Sequence, residues 1–107
     1  MSDAETKTVD IRERSLAHAR ELVSSALAGT NAVIWLFGSY ARGNAGPHSD
    51  IDIAIESEAP LPTGLLARLR LALEESTIPY RVEIVDLHDA DREFREAVYE
   101  EGIRWSA

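Results

Sequence analysis

Asp50 and Asp52 stand one residue apart in the run DIDIAIE, from Asp50 to Glu56. In an extended chain, residues two apart project from the same face, so both carboxylates can reach one point in space. Unpaired negative charge inside an apolar run is costly, so something positive must meet them. Hard oxygen ligands on a rigid strand suit Mg²⁺, which takes few carboxylates and otherwise uses water and phosphate oxygens. Upstream of this pair stands Gly38-Ser39. A strand that ends in Gly-Ser and turns into a helix offers free backbone N–H groups, and with the helix dipole these seat a phosphate. A Cβ at Gly38 would hold the phosphate off the backbone, and Ser39 adds a hydroxyl donor. The metal then neutralises the Asp pair, and Gly-Ser holds the far phosphates of the nucleotide that the metal bridges. Two such ions could clamp an in-line displacement at phosphorus.

A third carboxylate would complete a two-metal site. Glu83, between Val82 and Ile84, is the acidic residue in the middle of another strand-like run. It could face the Asp pair from a neighbouring strand, ligate metal and accept the proton of an attacking hydroxyl. Arg81 shares its strand face, and a surface ion pair between the two is the alternative. Asp86 falls on the opposite face and ends the strand. Arg42, one turn beyond Ser39, could meet a phosphate or form an ion pair. His48 lies in the adjoining loop and is assigned no role. A second Asp-x-Asp, Asp89-Ala90-Asp91, has no strand around it and precedes a helix, where capping explains it.

These residues need elements to position them. Apolar positions from about Val9 to Ala28 (Ile11, Leu16, Ala19, Leu22, Val23, Ala26, Leu27) recur at helical spacing, and Gly29 stops the helix. Residues 1–7 read as a loose terminus. Ala32 to Phe37, AVIWLF, reads as a strand buried on both faces. Residues 39–43 form only a short helical turn, and 44–49 are loop. In the second strand, Ile51, Ile53 and Ile55 share one face and Asp50, Asp52, Ala54 and Glu56 the other. A linker over 57–62 leads to a helix over 63–76 with Leu65, Leu66, Leu69, Ala72 and Leu73 inward. Arg81 to Leu87 is a third strand. Asp89 or Asp91 caps a last helix to about Glu101, with Phe94, Ala97 and Val98 on its core side. Ile103 and Trp105 tuck back onto the body. Trp35 and Phe37 read as core. The order α-β-α-β-α-β-α implies an α/β or α+β fold with a short sheet covered by helices.

The 107 residues fit one domain, 1–107, with a composition ordinary for a soluble globular chain: 45% hydrophobic and 28% charged. Net charge is −8, and Lys7 is the one lysine among 11 basic residues. That balance argues against direct nucleic-acid binding, which rests on dense positive charge. It suits a basic protein partner or a metal-bridged nucleotide. With no cysteine, disulfides, thiolate chemistry and cysteine-type zinc sites are excluded. The polar start MSDAETKTVD is no signal peptide, and no apolar run approaches a membrane span, so the expected location is cytoplasmic. P-loop and dinucleotide-binding glycine patterns are missing too.

Gly38-Ser39, ten residues, then Asp50-Ile51-Asp52 resembles the signature of the DNA polymerase beta-like nucleotidyltransferase superfamily. The fuller string LFGSYARGNAGPHSDIDIAI is similar to its minimal members, and the likeness runs from the first helix to the closing REFREAVYEEGIRW. The resemblance implies a nucleotidyltransferase fold with a mixed sheet. It implies that Gly38 and Ser39 bind nucleotide phosphates, that Asp50 and Asp52 ligate Mg²⁺, and that the third carboxylate is Glu83. Many minimal members carry Asp there, so Glu83 is a departure whose longer side chain should still reach a metal. The resemblance also implies a partner. Minimal nucleotidyltransferases are often paired with HEPN-domain proteins as antitoxin and toxin, and in such pairs the antitoxin can transfer AMP from ATP to a tyrosine of the toxin.

The expectation is therefore a Mg²⁺-dependent protein adenylyltransferase (AMPylation) that acts as the antitoxin of a HEPN-type toxin. A chain this size is expected to lack a separate acceptor-gripping domain, so the partner brings the acceptor hydroxyl. The acidic balance favours docking to a more basic toxin, alone or in a homo- or hetero-oligomer. One alternative is a binding module that neutralises its partner by occlusion, without catalysis. Another is transfer to a small molecule or RNA.

Overall fold

The structure, a computed structural model, describes the backbone of residues 3–105 and the side chains of residues 11–105. Eight elements follow one another: α1 (Asp3–Ala26), β1 (Val33–Phe37), α2 (Ser39–Arg42), β2 (Ile51–Glu56), α3 (Leu65–Glu75), β3 (Val82–Asp86), α4 (Arg92–Glu101) and β4 (Ile103–Arg104). The strands form one mixed sheet in the order β3-β2-β1-β4. β1 is antiparallel to both β2 and β4, and β2 is parallel to β3. The expected mixed sheet with helices is therefore present, with one more strand than the sequence suggested. The tail does tuck back, but it does so by pairing: Ile103 opposes Leu36, Arg104 opposes Trp35, and the Trp105 N–H donates to the Ile34 carbonyl at 2.7 Å. Two residues of ladder are too few to leave a period-2 pattern in the sequence.

The first helix begins earlier than its apolar spacing indicates. Residues 3–7, expected to be a loose terminus, are helical, and residues 1 and 2 lie outside the described ones. Its regular part ends at Ala26, and Gly29 takes φ +84°, a left-handed conformation that stops the helix at low cost. No described helix is long and apolar enough to cross a membrane.

Strand alternation sorts the side chains onto two faces. On one, Ile34, Leu36, Ile51, Ile53, Ile55 and Ile84 pack against Ala19, Val23 and Leu27 of the first helical segment, Leu69 and Leu73 of α3, and Trp105. On the other, Ala54 packs with Leu87 and with Val98 of α4, flanked by half-buried Trp35, Phe37 and Phe94. β1 is thus fully buried on one face and half-buried on the other, not buried on both as expected. The reason is that the second face is covered by α4 together with Leu87 and Ala90 of the segment before it, a thinner layer than α1 and α3 give the first. Ala72 and Ala97, expected to point inward, are exposed. Their neighbours Leu73 and Val98 take the inward positions, and a small side chain leaves little free energy at stake when it is left out. Ile11 is 39% exposed despite its place in the apolar pattern. Asp91 caps α4: its carboxylate accepts the Phe94 N–H at 2.8 Å.

Candidate active site

The site is built where β1, β2 and β3 run side by side on the α4 face. Register places Phe37, Asp52 and Glu83 in one row across the three strands. Asp50 precedes the first residue of β2 and shares the strand phase of Asp52. Parallel pairing of β2 with β3 thus makes Glu83 the cross-strand neighbour of Asp52, as the sequence suggested.

Gly38 follows β1 directly, with φ +75° and ψ −154°, a conformation close to glycine-only. A Cβ built there would stand 2.3 Å from Asp52 Oδ2. The sequence reading gave Gly38 one reason, access of a phosphate to the backbone. The structure adds a nearer one: the Asp52 carboxylate occupies the space that any side chain at 38 would fill. α2 is a single turn from Ser39 to Arg42 with no side-chain cap, closed by the Arg42 N–H on the Gly38 carbonyl at 3.1 Å. A left-handed Gly43 ends it, and the Asn44 N–H returns to the Ser39 carbonyl at 3.0 Å. This short loop fixes the Gly38-Ser39 backbone against Asp52.

Charge is concentrated here. Burial is the largest cause that raises the Asp52 carboxyl above the ordinary aspartate value; Glu83 and then Asp50 add to it, and Arg42 opposes it. Both negative neighbours make ionised Asp52 harder to hold, which marks the group as one that a cation would relieve. Arg42 Nη1 approaches Glu101 Oε2 of α4 at 3.7 Å, an open ion pair between two half-exposed side chains. For Glu83 the weighed alternative is also present: Arg81 Nη2 lies 3.0 Å from Glu83 Oε1. Among the described residues, no three His, Cys, Asp or Glu side chains form a ready set of metal ligands. Asp50, Asp52 and Glu83 share a region of one face, but Glu83 is engaged by Arg81.

The donor set still suits a hard divalent cation. It consists of carboxylate oxygens, on strand positions that differ by two residues or oppose each other across a ladder, and one of them carries a repulsion that a cation would remove. Sequence reasoning passed over a cleft of about 710 Å³ beside Glu83, lined by Arg70, Tyr80 and Arg81 among others. Its walls come from α3 and β3, and no spacing in either segment announces it. His88 and Asp89 lie beyond β3, and the Asp86 side chain accepts the His88 N–H at 3.0 Å, as a strand-ending residue would.

This combination of a mixed sheet, a Gly-Ser turn pressed on Asp-x-Asp and a carboxylate opposite defines a nucleotidyltransferase domain. Residues 26–104 match the family model described as polymerase beta, nucleotidyltransferase, and the chain belongs to that family. It is 34% identical over 90 residues to a probable protein adenylyltransferase, MntA, of Haemophilus influenzae, covering 84% of this chain and 77% of the relative. A solved structure provisionally described as a minimal nucleotidyltransferase is 38% identical, with TM-score 0.66 and coverage of 84% of this chain and 92% of the other. A chain of a toxin–antitoxin crystal structure with AMP-PNP is 27% identical, also with TM-score 0.66, over 82% of this chain and 73% of that one.

Proposed function

We propose that this chain transfers AMP from ATP to a hydroxyl, in the first instance a tyrosine, of a HEPN-type toxin, and so serves as the antitoxin of the pair. The reading rests above all on the row that sets Asp52 over Gly38 and beside Glu83. The likeness to a protein adenylyltransferase and to a toxin–antitoxin chain supports the acceptor and the partner. The reading places the protein in the cytoplasm, where its ATP is.

In this scheme the backbone N–H groups at Gly38-Ser39 receive the β- and γ-phosphates, with the Ser39 hydroxyl as a further donor. Asp50, Asp52 and Glu83 would hold Mg²⁺, which when bound supplies positive charge to the phosphate oxygens. Arg42, on the same turn as Ser39, is placed to leave Glu101 for a phosphate. The Glu83 carboxylate accepts the proton of the attacking hydroxyl. The hydroxyl oxygen bonds to the α-phosphorus, the bond from that phosphorus to the bridging oxygen breaks, and pyrophosphate leaves with the electron pair.

The test is incubation with the toxin, α-labelled ATP and Mg²⁺. Label should appear on the toxin and fall at least about a thousandfold, roughly 4 kcal/mol of transition-state stabilisation, in Asp50→Asn/Asp52→Asn. A second reading, neutralisation by occlusion, draws on the Arg81–Glu83 ion pair, which engages the third carboxylate. It predicts that the double variant still silences the toxin fully, with no label transferred by either form.

A further inference from the structure

Arg81 immediately precedes β3, Glu83 is the second residue of that strand, and their side chains meet at 3.0 Å. Glu83 is also the register partner of Asp52, so its carboxylate has two claims on it. One comes from the Arg81 guanidinium just before its strand, the other from any cation between it and the Asp pair. The Arg81 side chain is 73% exposed and that of Glu83 42%. An ion pair this open contributes at most about 1 kcal/mol, so it is weak enough to be exchanged. The second guanidinium in the neighbouring cleft is tethered: Arg70 Nη2 donates to the Ile84 carbonyl at 3.1 Å. Arg81 has no such tie to the backbone among the described residues, and its long side chain can leave Glu83 for the cleft or for solvent.

We propose that Arg81 is a displaceable counter-ion of the third carboxylate: it engages Glu83 until a divalent cation at Asp50 and Asp52 takes that carboxylate from it. The proposal rests on the metal-site reading of the preceding section. The exchange replaces the Arg81 contact on the Glu83 oxygen with coordination to a divalent cation, and no covalent bond is made or broken. Arg81 is a positioning residue in this scheme. It sets how tightly the site takes metal by competing for one ligand.

Mn²⁺ alone is the probe, with free Mn²⁺ read by electron paramagnetic resonance during titration of the whole chain. Arg81→Gln should tighten Mn²⁺ binding about two- to fivefold, the fold-change equivalent to losing an exposed ion pair. In the Glu83→Gln background the same substitution should change binding by less than about 1.5-fold, because there is no carboxylate left to release. Arg70→Gln, which removes a charge of the same sign from the same cleft, should also stay within about 1.5-fold. An unchanged affinity in Arg81→Gln overturns the proposal. So does an equal gain in the Glu83→Gln background, which would make Arg81 a mere source of repulsion. If neither wild type nor Arg81→Gln binds Mn²⁺, the metal-site reading fails and this proposal with it.

Discussion

On the face of β2 that meets α1 and α3, Ile51, Ile53 and Ile55 are fully buried. On the other face of the same six residues stand Asp52, Ala54 and Glu56, and α4 covers only part of them. One strand thus anchors the core with its odd positions and carries chemistry with its even ones. The period-2 geometry makes the two duties separable. The isoleucine face can be packed for stability without touching the carboxylates. The carboxylate face can hold mutually repelling charge because the opposite face keeps the strand in place. The closing contacts of the second face are partly polar: Glu56 accepts from Trp35 Nε1 at 3.2 Å and from the Tyr99 hydroxyl at 2.5 Å.

The sharpest way to break this comparison is to remove one side chain from each face. Ile53→Ala should cost about 2–5 kcal/mol, because the site is enclosed and collapses poorly. Val98→Ala on α4 should cost about 1–3 kcal/mol, with fewer methyl groups lost and a thinner layer above it. Urea unfolding of both variants measures the gap. Equal losses, or a larger one for Val98→Ala, would mean that the two faces share the stability evenly.

Gly38→Ala probes the junction between the faces and should have the next largest effect. The new methyl meets Asp52 Oδ2 at 2.3 Å, and the backbone conformation is one that only glycine adopts easily. The expected loss is about 1–3 kcal/mol from strain, together with weakened AMP-PNP binding as Asp52 is pushed from its place. Calorimetry on the nucleotide and a thermal melt read the two effects separately. A melt within about 1 °C of wild type would show that the turn shifts freely, and that Gly38 is required for the phosphate alone.

How much of this was legible in the sequence follows the same division. The Ile51-Ile53-Ile55 alternation and the Asp50/Asp52 phase state the two faces of β2 outright, and Glu83 stands out as the acidic residue amid the third strand. The pairing of Asp52 with Glu83 depends on β2 and β3 being neighbours in parallel, which no local pattern encodes. For the same reason β4 was not legible as a strand. Its two residues are extended because β1 offers a free edge, and that edge is a property of the sheet. Ala72 and Ala97 were misplaced because alanine fits either side of a helix and carries little hydrophobic signal. The Arg42–Glu101 contact joins residues far apart in sequence whose meeting depends on where α4 packs.

The smallest expected effect is also the one whose sign is least intuitive. Asp52 has a carboxyl raised above the ordinary aspartate value, by burial first, then by Glu83 and Asp50. A raised value in the folded state means that the folded chain binds this proton more tightly than the unfolded one. The resulting stabilisation is fully present below the unfolded aspartate range and is lost as pH rises through the higher folded value. At neutral pH the ionised Asp52 is therefore a net burden on folding, and Asp52→Asn removes it. The variant should be more stable than wild type at pH 7, by less than about 1 kcal/mol once screening at this partly exposed site is allowed for. That is a rise of a few degrees, at about 4–8 °C per kcal/mol for a chain of this size. The advantage should shrink as pH falls through the raised folded value and be gone below about 4, where both forms are neutral. Melting curves from pH 3 to 8 check the trend, and a variant less stable than wild type at pH 7 would contradict it. The isoleucine face predicts no such behaviour: Ile53→Ala should lose nearly the same free energy across that range, since the buried side chains packed with it are apolar. A stabilising substitution at the site beside a strongly destabilising one a residue away is what a strand with divided duties should give.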